Sequence, residues 1–380
     1  MNWRRAWKQL ALTTCAVFGV QGAECSEWAG WIQYRDALME PSGRIVDPGD
    51  ARKITTSEGQ SYGLFFALVA GDRKSFDLIL KWTEDNLSRA DLTSNLPAWL
   101  WGKKDSGEWA VIDSNAASDA DVLIAYTLLE AGRLWHIPRY EALGKLLARR
   151  ILKDEVKELP GLGPVLLPGP VGFELKAGER WKLNPSYLQP SILKALAVRH
   201  PGSIWSQVYR SSVRILQETA TKGFAPDWVE YRAKEGFQPD EKDGVEGSYN
   251  AIRVYMWVGL MDKSENDSKL LAKRFAPMAE EVKRQGVPPR VVNAQTGALV
   301  DGTGPVGFSA AVIPLLRALD EKEALQSQVD RLIARPPARD AYYDHSLTLF
   351  GQGAVEGRFA FQADGSLITA WQHCKPSLPR

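Results

Sequence analysis

Cysteine, histidine and any imbalance of charge are scarce in this 380-residue sequence. Its four histidines, His136, His200, His345 and His373, show no metal-ligand spacing, so neither a metal nor any other cofactor is implied. Lys and Arg total 47 against 46 Asp and Glu, and a net charge of +1 offers no footprint for nucleic acid or an anionic membrane surface. Neither a phosphate-cradling glycine loop nor a nucleophile elbow is present. The apolar run from Leu10 to Val20 is too short to span a membrane. Preceded by Arg4, Arg5 and Lys8 and followed by Gly22 and Ala23, it reads as a secretory signal, residues 1–23, cleaved after Gly22 or Ala23. The remaining 24–380 is expected to be one domain, periplasmic or secreted, without membrane insertion. Of the three cysteines, Cys15 leaves with the signal, and Cys25 and Cys374 stay at opposite ends. In an oxidising compartment they are expected to bridge; the alternative is two unrelated thiols.

Tryptophan is what the chain has in excess, 14 residues of it. Flat aromatic faces stack on the apolar faces of sugar rings, though most indoles fill cores. Trp99, Trp101 and Trp109 fall in a segment with Gly102 and Gly107, where there is less core to fill, which makes Trp101 a candidate for sugar stacking. Elsewhere helical periodicity dominates. Very apolar stretches, such as Ser57–Val69, Ser118–Trp135, Gly247–Leu260 and Gly307–Ala318, alternate with amphipathic ones. Gly59 and Gly63, one turn apart in the first, point to close approach of a backbone or a ligand. Pro160–Gly172, eight Pro or Gly among thirteen residues, keeps Val165, Leu166 and Leu167 and reads as an ordered loop. Arg358–Ile368 carries Asp364-Gly365, a hairpin signal.

The stretch Asp113–Trp135, DSNAASDADVLIAYTLLEAGRLW, opens polar and closes apolar. Ser118 followed by Asp121 suggests a capping box, and Asp119 falls in the first turn, where the helix dipole favours negative charge. Taken locally these are ordinary first-turn acids. The whole string, Ala117-Ser118-Asp119-Ala120-Asp121 with Ile124-Ala125, Leu128-Leu129, Ala131 and Trp135, resembles the signature of glycoside hydrolase family 8, with Thr127 where Ser or Ala is usual. RKITTSEGQSYGL (52–64), LPAWLWGKK (96–104), NPSYLQP (184–190), GPVGFSAA (304–311) and LTLFGQG (347–353) extend the resemblance over nearly the whole mature chain. Within the family it is most similar to the periplasmic endoglucanases of bacterial cellulose-synthesis operons.

That resemblance implies an all-α fold, an (α/α)6 barrel with a small β-hairpin near the C-terminus. It also implies an inverting endo-β-1,4-glucanase acting on cellulose, with a β-1,4-glucan as partner and the cellulose synthesis and export machinery as a further one. Such a reaction needs a proton donor and a second carboxylate about 6.5–9.5 Å away, leaving room for a water. Glu58 matches the family's general acid and Asp119 its second acid, expected to hold the sugar and help orient water. Arg253 matches a rim arginine and Tyr187 a subsite tyrosine. Asn250 departs from the pattern, because the nearest relatives carry their general base there as Asp, and an amide cannot take a proton from water. Asp119 or a nearby acid, Glu246 or Asp243, could take over; the chain could also be a glucan-binding protein with little or no turnover. In either case Asn250 faces substrate.

Overall fold

The computed structural model describes residues 27–374, and the expected signal peptide and Cys25 lie outside them. Cys374 is disulfide-bonded. The described chain is helix-rich. In order the helices are α1 (Ala29–Leu38), α2 (Ser57–Ala70), α3 (Arg73–Leu87), α4 (Ser118–Trp135), α5 (Pro138–Asp154), α6 (Pro190–Arg199), α7 (Trp205–Thr219), α8 (Ile252–Gly259), α9 (Asn266–Arg274), α10 (Ala276–Gln285), α11 (Val306–Ala318), α12 (Lys322–Ala334) and α13 (Tyr342–Val355). No described helix is long and apolar enough to cross a membrane.

Burial divides them as the hydrophobic pattern does. In α2, α4, α8, α11 and α13 nearly every residue is buried, whereas α3, α5, α7 and α12 each bury one stripe. α4 packs on α2 and α6, α6 on α8, α8 on α11, and α11 on α13. Phe350 of α13 then lies against Phe65 and Phe66 of α2. The amphipathic helices cover these outside, α3 on α2, α5 on α4, α7 on α6 and α12 on α11. One hydrophobic cluster runs from Trp28 to Leu367.

Close helix approach depends on particular glycines. A Cβ on Gly259 would lie 2.1 Å from the backbone N of Leu315, and one on Gly351 2.2 Å from the carbonyl O of Ala310. These contacts let α8 and α13 press against α11 where Pro314 interrupts its hydrogen bonding. Gly59 and Gly63 answer to side chains instead of a backbone or ligand: their Cβ positions face the Tyr342 hydroxyl at 3.1 Å and Ile45 Cγ1 at 2.9 Å.

The expectation of a single hairpin was too spare. Among the described residues short antiparallel strands form five small sheets. One has four strands, Glu174–Lys176, Arg180–Leu183, Val229–Arg232 and Gly236–Pro239. Another pairs Thr55–Thr56, just before α2, with Leu100–Lys103 and then Trp109–Asp113, just before α4. The expected C-terminal hairpin is Phe359–Phe361 with Leu367–Thr369. It is stitched to the inner helices: Leu367 N–H donates to Glu130 (2.9 Å), the Tyr126 hydroxyl to the Gly365 carbonyl (2.9 Å), and the Trp371 indole N–H to the Leu68 carbonyl (2.9 Å).

Three local readings also change. α4 starts after Ala117 with no side-chain cap; Ser118 is its first residue and Asp121 is buried rather than reaching back to a cap. Helical periodicity would carry one helix through residues 266–285, but the chain breaks at Phe275 and a new helix starts at Ala276 with Pro277 in its first turn. α8 begins at Ile252, so Ser248 and Asn250 lie in a turn ahead of it.

Candidate active site

Helix starts converge here. Glu58 lies in the first turn of α2, Asp119 in that of α4, Arg253 in that of α8, and Tyr342 and Tyr343 open α13. The Thr56 hydroxyl accepts the Gly59 N–H at 3.0 Å, which caps α2 and fixes the turn that presents Glu58. The positive ends of α2 and α4 favour carboxylates at these positions.

Arg253 joins the group. It is 6% exposed. Its Nη1 lies 3.3 Å from Glu58 Oε2 and its Nη2 3.9 Å from Asp119 Oδ2. Nη2 also donates to Ser186 Oγ and to Asn250 Oδ1, each at 3.0 Å, and Nη1 to the Tyr343 hydroxyl at 3.3 Å. One guanidinium therefore spans the two acids. Burying a guanidinium without partners is costly, so the two carboxylates and the oxygens around it are also what hold Arg253 inside.

The acids differ in setting. The Glu58 side chain is 19% exposed, and its Oε1 accepts the Tyr342 hydroxyl at 3.3 Å. Asp119 is buried; its Oδ1 accepts the Ala120 N–H at 2.8 Å, and its backbone carbonyl accepts Gln189 Nε2 at 3.0 Å. Burial first, then the charge of Glu58, push the Asp119 carboxyl up to about 7, against the opposing pull of Arg253 and the Ala120 N–H. The same burial and the same carboxylates push the hydroxyls of Tyr62, Tyr187 and Tyr342 well above their ordinary range, so these remain neutral donors.

Asn250 is oriented by its partners. Asn184 Oδ1 accepts from Ser186 N–H (3.0 Å) and Ser186 Oγ (2.7 Å), which leaves Asn184 Nδ2 to donate to Asn250 Oδ1 at 3.2 Å. Arg253 donates to the same oxygen. Two donors on one atom identify it as the carbonyl oxygen, so the Asn250 amide NH2 is the end left for anything in the cleft. Of the two nearby acids considered from sequence as substitute bases, one is paired and the other exposed. Asp243 pairs with Lys182, and Glu246 sits exposed on a strand opposite Asn293. The carboxylate that does touch this turn is Asp227, whose Oδ1 accepts the N–H groups of Ser248, Asn250 and Ala251 at 2.9, 2.9 and 2.7 Å.

Tyr187 sits half-buried with its ring 6.0 Å from the Arg253 guanidinium carbon and 6.3 Å from the Trp228 ring. Trp101 sits in a cluster of aromatic and basic side chains. Its ring stacks on Trp109 at 5.4 Å, meets Trp82 edge-on at 5.3 Å and has the Arg44 guanidinium over it at 4.4 Å. The exposed indole of that group is Trp109's, at 46%. Trp99 lies nearer the acids: its carbonyl accepts the Ser57 N–H, next to Glu58, at 3.0 Å. A cavity of about 590 Å³, lined by Asn86, Arg89, Asn95, Ser114, Lys153 and Lys157 among others, opens beside the strand before α4 and away from the carboxylates.

Sequence reading had not picked out Asp227, Asn184, Tyr342 or Tyr343. Asn184 lay inside a quoted motif. Asp227 follows Pro226 in a loop, a context common to many turns, and nothing local marks it as the grip on residue 250.

The model of the glycosyl hydrolases family 8 matches residues 1–357. The chain belongs to glycosyl hydrolase family 8. It is 48% identical over 363 residues to an endoglucanase of Escherichia coli O157:H7, covering 95% of this chain and 96% of that one. It is 45% identical over 378 residues to an endoglucanase of Salmonella typhi, covering 99% and 100%. The crystal structure of an endo-1,4-D-glucanase from Vibrio fischeri ES114 superposes with a TM-score of 0.84 at 43% identity, over 91% of this chain and all of that one. This family 8 chain is a glycoside hydrolase, and Glu58, Asp119 and Arg253 all lie within the span that the family model covers.

Proposed function

We propose that this protein is an endoglucanase that hydrolyses β-1,4-glucan chains of the cellulose type by an inverting displacement, exported to the periplasm or beyond and acting alongside cellulose synthesis. The helices are read as an (α/α)6 barrel whose inner N-termini form the floor of the cleft. Support for the activity comes from the family membership and from the endoglucanase relatives at 45–48% identity. Support for the mechanism comes from one observation: Glu58 and Asp119, far apart in sequence, lie against the same buried guanidinium.

In this reading Glu58, the more exposed acid and the one in contact with a tyrosine hydroxyl, protonates the glycosidic oxygen. Asp119, in its ionised form, faces the anomeric carbon, stabilises its developing positive charge and orients water. Arg253 holds both acids in register, and the neutral hydroxyls of Tyr187 and Tyr342 bind sugar oxygens. The Asn250 NH2 donates to the attacking water or a sugar hydroxyl but takes no proton from it. Trp99 and Trp109 offer the aromatic faces for stacking. The test compares this chain with Asn250→Asp on cello-oligosaccharides, measuring rate and the anomeric form of the first product. Release of the β-anomer first would refute inversion. Binding without cleavage in both proteins would leave a glucan-binding role in its place.

A further inference from the structure

Behind Asp119 the structure holds two more acids that the proposed reaction does not use. Asp121, in the first turn of α4, and Glu155, which ends α5, are both fully buried at 0% exposure. None of their four carboxyl oxygens accepts a hydrogen bond from any N–H or hydroxyl among the described residues. Each carboxyl finds the other as its partner. Two ionised carboxylates are acceptors only and cannot bond, so contact between them requires a proton on at least one.

The surroundings reinforce this. The titratable groups that act on the pair include Asp119 from α4 and Asp154 from α5, and the charge of Glu155 acts in turn on Tyr187 in the turn before α6. All three are acids. Asp154 itself lies 3.3 Å from Arg150, directed outward. Burial first, then neighbouring negative charge, push Glu155 well above the ordinary carboxylate range; burial does the same to Asp121.

The backbone around the pair also ties these segments together. The Leu167 N–H donates to the Glu155 carbonyl at 2.9 Å, and the Ser118 N–H donates to the Pro168 carbonyl at 3.0 Å. The segment after α5 thus loops back beneath the start of α4, and Asp119 stands between Ser118 and Asp121.

We propose that Asp121 and Glu155 form a proton-sharing carboxyl pair that acts as a positioning device for Asp119, locking the first turn of α4 onto the end of α5. The shared proton removes one of the pair's two negative charges, so less charge stands behind Asp119, which keeps Asp119 able to ionise. Its effect on turnover rests on the proposed glucanase reaction; its proton does not.

Three variants test this: Asp121→Leu, Asp121→Asn and Glu155→Gln, each assayed on carboxymethylcellulose and melted across about pH 5 to 8. Asp121→Leu should lower kcat at least tenfold with KM changed less than about twofold. Asp121→Asn, whose amide donates to Glu155, should recover most of that loss. An unchanged kcat in Asp121→Leu, or failure of Asp121→Asn to recover it, would overturn the positioning role. The melts read the proton directly. A carboxyl whose pKa folding raises binds more protons native than unfolded, so stability falls as pH rises above the unfolded pKa of about 4. Asp121→Asn and Glu155→Gln each remove one such group, so Tm should drop over this range by a few degrees less than in the parent chain. Equal drops would mean an ionised pair and end the proposal. If the parent chain shows no turnover, the glucanase reading fails while the melts still decide the pair.

Discussion

Arg253 touches Glu58, Asp119, Asn250, Ser186 and Tyr343 at once, so a change in any of its partners is felt by both acids. Glu58→Gln removes the proton donor while keeping the shape, and kcat should fall by about 10²–10⁴-fold with little change in KM, measured as new reducing ends. Asn250→Asp should work in the opposite direction. Asn184 and Arg253 would hold one carboxylate oxygen as they now hold the amide oxygen, leaving the other where the NH2 now points. An oriented base of that kind should raise kcat by about 10²-fold or more; an unchanged rate would place proton abstraction on another group. The pH profile follows from Asp119. Its carboxyl, pushed up to about 7 by burial and by Glu58, is protonated below that pH and ionised above it. The reaction uses Asp119 ionised while Glu58 holds its proton, so in the reacting form burial is what raises Asp119, and kcat/KM should fall as pH drops toward the ordinary carboxylate range. A profile flat through that range would exclude a requirement for the Asp119 carboxylate.

Elements bring these residues together only if the apolar helices pack closely. Gly259→Ala would drive a Cβ into the backbone at Pro314–Leu315, where neither α8 nor α11 can yield cheaply. Overpacking of this kind costs about 1–3 kcal/mol, and the Tm measured by calorimetry should fall by several degrees. Such helices were readable from sequence because a fully buried helix is apolar on every face. The strands were less readable. They are two to five residues long, too short for alternation to register against the turns around them. Ser118 misled because a serine before an apolar run signals a cap whether or not the helix begins one residue earlier. Asp119 was legible since its signature is contiguous. Arg253 as the hub was not, because its contacts come from five separate segments and are assembled only by the fold.

For the molecule as a whole, export is the expectation that reaches beyond the described residues. The exported protein, measured by intact mass, should begin at Ala23 or Glu24 and weigh about 2 Da less than the fully reduced chain, corresponding to one disulfide at Cys374. Cys374→Ser should then lower stability by about 2–5 kcal/mol. The C-terminal hairpin carries a different consequence. Its bonds to Leu68, Tyr126 and Glu130 tie together α2 and α4, the two helices that present Glu58 and Asp119. A ribosome makes the hairpin well after both helices. Until the hairpin docks, α2 and α4 lack this outer clamp, so a growing polypeptide should gain full cutting power only once it is in place.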